Sequence, residues 1–497
     1  MSRRINIEVP LNRVEGDLEV RLEIDEGVVA DAWSSGVMYR GFENMLVGRG
    51  VLDGLVITPR ICGICSTAHL TAAAFALEAI ADVKPPCDAV RVRNLSLMAE
   101  QAQSDLRHAF LVFAADFANP VHKDSALYAE AVRRYEPLKG ETAIEVIQQT
   151  KRIIEIIAIL GGQWPHSSYM VPGGTTSIPS SADLLQCRHL LQRYRDWYEQ
   201  RILGCPLERW LSVECAADLD AWLEESPSQR DSDLGFYIRV ARDYGLDRIG
   251  RGPGYFISFG SLPLPEDTEV RGRQPADRLF PAGFARGVEV SEFSPDQVTE
   301  HVAHSWFLDY DGGKHPFDGE TRPFATGREG KKYSWSKAPR YGDLPSETGP
   351  LAEMLVAGHP LFTDLVRRDG PSVFTRQLAR MVRQAELIPA MEQWICEITG
   401  SGKFYKSPGE IVCGEGAGLV GAPRGALGHW VKVADGKISQ YQIITPTSWN
   451  ASPRDSEAVR GPWEEALVGT EVKDEENPVE VGHVIRSFDA CLVCTVH

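Results

Sequence analysis

Two C-x-x-C pairs are the residues in this sequence whose types and spacing are best suited to chemistry. The first pair is Cys62 and Cys65, and the second is Cys491 and Cys494 near the other end of the chain. Two intervening residues let both sulfurs of a pair face one ion, and two such pairs supply four thiolates. The spacing alone therefore predicts a metal site built from both ends of the chain, and a structural zinc ion is its simplest occupant.

Two features of the pairs weigh against zinc. Zinc ribbons and fingers usually join their pairs over about 15 to 20 residues, because a small module needs the metal to fold. Here most of a 497-residue chain separates the pairs, and a chain of this length folds without such help. Each pair is also followed by a histidine, His69 or His497, which gives more candidate ligands than one tetrahedral ion uses.

Long helices are predicted to position these residues. Apolar residues recur at three- and four-residue spacings over residues 88–117, 142–160, 182–202 and 372–398, and we expect Pro389 to kink the last of these helices. Period-two alternation predicts a small antiparallel sheet over residues 5–30, and Asp435-Gly436-Lys437 predicts a hairpin. Residues 250–347 lack a period and predict irregular structure with short strands. We therefore expect a mainly helical α+β fold in which residues 1–497 form one interwoven domain.

Composition and charge exclude several classes of protein. The chain carries 52 Lys and Arg against 69 Asp and Glu, a formal charge of -17, and such an acidic surface repels nucleic acid. No stretch approaches the roughly 18 apolar residues of a membrane span. The N-terminus alternates polar and apolar residues and does not continue into the apolar region of a secretory signal. We expect a cytoplasmic protein, unless a partner chain carries the export signal.

The sequence around the cysteine pairs matches a known pattern of motifs. Arg60 to His69 read R-x-C-G-x-C-x-x-x-H in full, and Asp489 to His497 read D-P-C-x-x-C-x-x-H, except that Ala490 replaces proline. Further matching segments follow the same order along nearly the whole chain: Arg13-Val14-Glu15-Gly16, Arg40-Gly41-Phe42-Glu43, Val171-Pro172-Gly173-Gly174, Ala422-Pro423-Arg424-Gly425-Ala426-Leu427 and Pro446-Thr447-Ser448-Trp449-Asn450. Together they resemble the large, catalytic subunit of NiFe-hydrogenases. The resemblance implies that family's fold, with a core of long helices and small peripheral antiparallel sheets.

The resemblance implies a nickel–iron centre. By motif position, Cys62 and Cys491 are terminal nickel ligands, while Cys65 and Cys494 bridge nickel to an iron that carries carbon monoxide and two cyanides. Thiolates suit this task, because soft, electron-rich sulfur stabilises nickel in several oxidation states.

The resemblance also assigns the residues around the metals. Arg424 matches an arginine above the metals that faces a cyanide and the open site where hydrogen is split. Thr447 matches a hydroxyl that donates to the other cyanide, and Pro423 lines the same pocket. Asp116 and Asp489 match carboxylates around the arginine.

Two further sites are implied by motif position. Glu15 matches the glutamate that takes the proton released when H2 is split heterolytically, and a carboxyl in apolar surroundings has a raised pKa that suits this role. Glu43, His497 and a backbone carbonyl near Ile443 match the ligands of a magnesium-like ion. We therefore expect His497 to be buried and to bind the same ion as Glu43.

The sequence departs from the family pattern at two positions. Many members have S-H-x-x-H in the long helix, whereas this chain has Asp105 at the first histidine and keeps only His108. This departure resembles the cytoplasmic uptake and hydrogen-sensing branch. Ala490 adds a backbone N–H where the motif has proline, and we expect metal ligation to remain intact.

The resemblance implies an oxidoreductase that interconverts H2 with two protons and two electrons, working in the uptake direction. Because the chain has no spare cysteine cluster, electrons must leave through a separate iron–sulfur small subunit, which gives at least a heterodimer. One alternative is an H2-sensing regulatory hydrogenase with low turnover that signals to a kinase. A remote alternative is a structural zinc or scaffold subunit.

Overall fold

The computed structural model describes residues 4–10, 13, 16, 18–268, 277–327, 330–400 and 402–497. The chain begins with a three-stranded antiparallel sheet of order β1-β2-β3, formed by β1 (Arg4–Pro10), β2 (Leu18–Asp25) and β3 (Val28–Gly36). Every second residue of β2, from Leu18 to Ile24, is buried, because successive side chains of a strand point to opposite faces. The predicted N-terminal sheet is confirmed.

Helices make up most of the remaining regular structure. They are α1 (Phe42–Leu46), α2 (Gly54–Ile57), α3 (Ser66–Ala81), α4 (Cys87–Arg107), α5 (Tyr128–Tyr135), α6 (Glu141–Ile153), α7 (Glu155–Gly161), α8 (Ser181–Trp197), α9 (Leu207–Trp210), α10 (Ala216–Glu225), α11 (Pro227–Asp231), α12 (Asp233–Asp243), α13 (Pro350–Val356), α14 (Pro360–Asp369), α15 (Val373–Val382), α16 (Gln384–Glu397), α17 (Pro446–Asn450), α18 (Pro462–Leu467), α19 (Val479–Ser487) and α20 (Leu492–Thr495).

The predicted helices are present but are interrupted at defined points. The helix predicted over 88–117 is α4, followed by a π-helical turn (His108–Phe113) and a 3₁₀ turn (Ala114–Ala118). The helix predicted over 142–160 divides into α6 and α7 at Ile154. The one predicted over 182–202 is α8 with a π-helical turn after it.

The last predicted helix breaks at a different residue from the one expected. Pro389 lies inside α16, and the break between α15 and α16 is at Arg383. A proline lacks the N–H that would bond the carbonyl four residues earlier, which here is that of Ala385. The break at Arg383 lies two residues before Ala385, so Pro389 does not account for it.

The remaining strands form small antiparallel sheets. They are β4 (Met170–Val171), β5 (Gly174–Thr175), β6 (Tyr255–Pro263), β7 (Arg278–Arg286), β8 (Glu289–Ser291), β9 (Val298–His301), β10 (Ala338–Tyr341), β11 (Gly414–Ala422), β12 (Gly425–Ala434) and β13 (Lys437–Ile444). The sheets have the orders β4-β5, β6-β7-β8, β10-β9 and β11-β12-β13. The predicted hairpin is β12–β13, whereas β6 and β7, at nine residues each, are longer than the short strands expected there.

The central contact of the fold is between α3 and β11. A Cβ atom at Gly418 would lie 1.8 Å from the carbonyl oxygen of Ala72, so only glycine permits this approach. The contact joins the helix that follows Cys65 to the hairpin that carries Arg424.

The main hydrophobic core includes buried residues from Leu18 to Cys494. A mainly helical α+β fold with small antiparallel sheets is thus confirmed, and the single interwoven domain stays a prediction. Within the described ranges, every helix is either too short or too polar to cross a membrane.

Candidate metal centre

Four cysteine sulfurs meet at one buried point. The Sγ atoms of Cys62, Cys65, Cys491 and Cys494 all lie within 4.8 Å of one another. The Cys62–Cys491 distance is 3.4 Å, and the Cys65–Cys494 and Cys491–Cys494 distances are 3.2 Å. The two predicted pairs are therefore brought together from opposite ends of the chain.

Local structure explains how each pair is presented. Cys62 follows a 3₁₀ turn (Thr58–Arg60), and Cys65 occupies the N-cap position of α3. Cys491 directly precedes the single turn α20 and Cys494 lies within it, where the Cys494 N–H donates to the Cys491 carbonyl. The Cys491 N–H donates to Thr447 Oγ1 at 3.1 Å, which ties this turn to α17.

A buried carboxylate holds the N-terminus of α3. Cys65 makes no side-chain cap hydrogen bond, and the backbone N–H groups of Thr67 and Ala68 donate instead to Glu100 of α4, at 2.8 and 3.0 Å. Burial raises the pKa of Glu100 to about 7. A carboxylate at a helix N-terminus satisfies otherwise unpaired donors, so Glu100 fixes the helix that begins next to Cys65.

The electrostatics of the sulfur cluster favour a cation. Burial and the neighbouring thiols raise the pKa of Cys494 well above its usual value. Hydrogen bonds from Cys491 and the other thiols lower the pKa of Cys62, and the Arg424 charge acts in the same direction. Four thiolates at these distances repel one another unless a metal neutralises them, so the donor set fits a soft transition metal.

Arg424 is close enough to the sulfur cluster to interact with it electrostatically, and its side chain is held by Asp489. Its Nε donates to Asp489 Oδ1 at 3.0 Å, while its Nη1 is buried without a hydrogen-bond partner among the described residues. Arg424, His108 and Arg380 together hold the pKa of Asp489 below its usual value despite burial, which raises it. The free Nη1 leaves a donor available beside the sulfur cluster.

A cavity of about 310 Å³ borders this arginine. Its lining includes Ile64 and Ala490, the neighbours of two ligand cysteines, together with Arg424, Asp489 and His108. Ala490 is buried and, in place of the motif's proline, forms part of this wall. The cavity gives small molecules room beside the sulfur cluster.

Pro423 and Thr447 also lie in this region. Both are buried, and the Pro423 carbonyl accepts a hydrogen bond from Arg383 at 2.8 Å. Because Thr447 Oγ1 accepts the Cys491 N–H, its own hydroxyl proton remains available for donation.

A chain of three buried polar side chains leads away from Cys494. His69 Nε2 lies 3.8 Å from its sulfur, His69 Nδ1 lies 3.0 Å from His429 Nε2, and His429 Nδ1 lies 2.9 Å from the Tyr441 hydroxyl. Burial lowers the pKa of His69 to about 3, so the imidazole is neutral. By its place in the motif His69 is only an extra candidate ligand, and no spacing in the sequence points to His429 or Tyr441.

Glu43 and His497 lie together, as predicted. The His497 side chain is 8% exposed, and its Nε2 lies 3.4 Å from Glu43 Oε1. The backbone N–H of Ile443 donates to Glu43 Oε1 at 2.8 Å. The role of a carbonyl near Ile443 as an ion ligand stays a prediction. Backbone bonds from Arg40 to the Val496 carbonyl, and from Gly41 to the His497 carbonyl, hold the terminal segment.

Sequence reasoning missed a lysine and a second carboxylate at this place. Lys337 Nζ lies 3.1 Å from Glu43 and 3.6 Å from Glu300, and all three side chains are buried. One Glu300 oxygen has no hydrogen-bond partner among the described residues. Burial raises the pKa of Glu300 to about 7, whereas Lys337 and His497 hold the pKa of the buried Glu43 below its usual value. Glu300 can therefore release its proton to balance a further cation beside Glu43.

Asp116 and Glu15 are the two remaining predicted site residues. Asp116 forms ion pairs with Arg13 and Arg486, which occupy its two oxygens, and its predicted place around Arg424 stays a prediction. Glu15 lies outside the described residues.

Comparison with known proteins supports this arrangement. A sequence model described as nickel-dependent hydrogenase matches residues 40–141 and 236–497. The periplasmic [NiFeSe] hydrogenase large subunit of Desulfomicrobium baculatum is 33% identical, over 98% of this chain and 94% of its own. The hydrogenase-2 large chain of Escherichia coli K12 is 30% identical, over 100% and 97%. A structure of the reduced Ni-Fe-Se hydrogenase from D. vulgaris Hildenborough has a TM-score of 0.83 and 31% identity, and covers 100% of both chains.

Proposed function

Because this chain belongs to the nickel-dependent hydrogenase family, as a catalytic large subunit, we propose that it works in the uptake direction and oxidises H2 to two protons and two electrons. The observation that carries the proposal is the cluster of four buried sulfurs within 4.8 Å, drawn from both ends of the chain.

The proposed cofactor is a nickel–iron centre. Cys62 and Cys491 are the proposed terminal nickel ligands, and Cys65 and Cys494, whose sulfurs are 3.2 Å apart, are the proposed bridges to an iron with carbon monoxide and two cyanides. When bound, the metals supply the redox chemistry that heterolytic cleavage of H2 needs. The names of some relatives include selenium, but in this chain all four clustered ligands are cysteines.

Arg424 is proposed to orient and stabilise the reacting species. Its Nε is occupied by Asp489, so the buried, unpartnered Nη1 is the donor available to a cyanide or to the open site. The Thr447 hydroxyl is the proposed donor to the second cyanide, and Pro423 provides an apolar wall. A fixed donor in a buried site stabilises developing charge more strongly than water does.

Glu15 is the proposed proton acceptor. Glu15→Gln should abolish H2/D⁺ exchange and leave nickel in place, because the amide keeps the shape of the side chain and cannot titrate. Exchange at the wild-type rate in this variant would remove Glu15 from the relay.

A magnesium-like ion is proposed at Glu43 and His497. The support is that two buried carboxylates, Glu43 and Glu300, share one lysine and that Glu43 also lies beside His497. Metal analysis of Glu43→Gln should show loss of one divalent ion per chain and unchanged nickel. Equal divalent content in variant and wild type would contradict the proposal.

The electrons are proposed to leave through an iron–sulfur small subunit, since the relatives are named large subunits or large chains. Co-purification of an iron–sulfur chain in at least a heterodimer tests this. The location is proposed to be cytoplasmic, and all ten cysteines are free thiols, as is usual in a reducing compartment. Cell fractionation tests the location; periplasmic recovery, as in the name of the Desulfomicrobium relative, would contradict it.

Infrared spectroscopy of the purified protein tests the centre itself. We expect bands in the carbon monoxide and cyanide stretching regions, together with nickel. Their absence would overturn the nickel–iron proposal. With the bands present, rapid dye reduction under H2 supports an uptake enzyme, whereas very slow turnover would favour an H2 sensor.

A further inference from the structure

A row of alternating buried charges ends at the metal centre. Neighbouring members are joined by ion pairs of 2.6 to 3.3 Å, and all six side chains are buried. In spatial order the row is Glu353, Arg383, Asp105, Arg380, Asp489 and Arg424. Three carboxylates and three guanidinium groups make the row neutral, which lowers the cost of burying charge.

Asp105 lies in the middle of this row and is saturated with donors. Arg383 binds it through two parallel bonds of 2.8 Å, from Nε to Oδ2 and from Nη2 to Oδ1. Gln384 donates to Oδ2 at 3.0 Å, and Arg380 donates to Oδ1 at 3.3 Å. Paired bonds between a carboxylate and a guanidinium fix direction as well as distance.

The two arginines carry this constraint to Arg424 by separate routes. Arg383 Nη2 donates to the carbonyl of Pro423, the residue before Arg424, at 2.8 Å. Arg380 Nη1 donates to Asp489 Oδ2 at 2.9 Å, while Asp489 Oδ1 accepts from Arg424. Asp105 is thus linked through Arg383 to the backbone next to Arg424, and through Arg380 to Asp489, which binds the Arg424 side chain.

We propose that Asp105 is a positioning residue for the site where H2 is split. It holds Arg383 and Arg380 in place, and these set the direction of the Arg424 guanidinium. The proposal rests on the proposed function, since it takes Arg424 to face the metals.

The charge of Asp105 is essential to this role. By comparison, a neutral imidazole at this position would offer a single acceptor. Histidine could not accept two bonds from Arg383 and a third from Gln384. With a neutral residue in place of Asp105, the row would carry three positive and two negative charges. The guanidinium groups of Arg383 and Arg380 would then repel each other, because no negative charge would stand between them.

The test compares three variants of the enzyme purified with its small subunit. Asp105→Asn keeps the volume of the side chain and removes its charge. Arg383→Lys keeps the charge of the row and removes the fork that joins Asp105 to the Pro423 carbonyl. The matched control is Asp455→Asn, which neutralises an equally buried aspartate that Arg340 binds at 2.7 Å outside the row. Each is measured by nickel content, cyanide infrared bands and H2/D⁺ exchange.

For Asp105→Asn and Arg383→Lys we expect shifted cyanide bands, wild-type nickel content and exchange that is slower by about tenfold or more, since small misplacements cost this much. Asp455→Asn should leave the bands and exchange unchanged. If Asp105→Asn does not take up nickel, the cyanide bands and exchange rate of Arg383→Lys alone test the proposal.

Bands that coincide with wild type in both variants would overturn the proposal, and so would loss of metal from both, which would show a structural role only. Absence of the bands from the wild-type enzyme would instead defeat the proposed function.

Discussion

Thr447→Val removes one hydrogen bond that holds a ligand cysteine. The Thr447 side chain is 1% exposed, and its hydroxyl oxygen accepts the N–H of Cys491 at 3.1 Å. Valine has nearly the same shape without an acceptor, so this buried N–H loses its partner. An unsatisfied buried donor costs about 1–3 kcal/mol, which is roughly a 5- to 150-fold change in the equilibrium that keeps Cys491 in the sulfur cluster.

Loss of a group that orients a metal ligand typically lowers metal affinity about 10- to 100-fold, so the two magnitudes agree. The assay is release of nickel to a chelator during urea titration of the purified enzyme. We expect Thr447→Val to lose nickel at lower urea than the wild type. Thr447→Ser, which keeps the hydroxyl, should behave like the wild type. Equal nickel retention in Thr447→Val and wild type would refute this reasoning.

Three further predictions follow from other buried groups. Glu100→Ala removes the acceptor for two N–H groups of α3, so it should lower the free energy of unfolding by about 2–4 kcal/mol and also reduce nickel content. The control is Glu464→Ala, at an equally buried carboxylate bonded to β3, which should lower the free energy of unfolding without changing nickel content. Burial lowers the pKa of His483 to about 3 in the folded protein. As the pH drops below about 6.5, the histidine is therefore protonated in the unfolded chain but stays neutral in the folded one, so the free energy of unfolding falls. His483→Phe should remove up to about 1.4 kcal/mol per pH unit of that slope in urea melts between about pH 4 and 7, and an unchanged slope would contradict it. Arg424→Lys should slow H2 oxidation about 100-fold with unchanged nickel, because an ammonium cannot bind Asp489 and keep a second fixed donor; a near-wild-type rate would place the arginine's role elsewhere.

The metal ligands could be predicted from sequence because C-x-x-C is a local pattern. The hydrophobic periods of α4 and α8 and the turn residues between β12 and β13 were equally readable, because each depends on neighbours in the chain. The π-helical turns and the break at Arg383 were not readable, because they depend on packing. Arg383 is drawn toward Asp105 and Glu353, which lie far away in sequence.

The supporting residues could not be predicted for a related reason. Glu100, Asp105 and His429 each act on a segment distant in sequence, and no spacing rule connects them. One signal was available in α4, where polar residues occur on every side of a helix that turns out to be buried throughout. Buried polar residues need partners, so such a helix indicates a network even when the partners cannot be named.

The separation of the two sulfur pairs also has a consequence during synthesis. Cys62 and Cys491 are 429 residues apart, and at about 5–20 residues per second a ribosome needs roughly 20 to 90 s to add the second pair after the first. Throughout that interval the nascent chain offers a metal only two of its four thiolates. For most of it Arg424 has not been made, and the bonds from Arg40 and Gly41 to Val496 and His497 form only afterwards. All four thiolates are present only once Cys494 has been added, so the four-sulfur site is completed late in synthesis, however early its first pair is made.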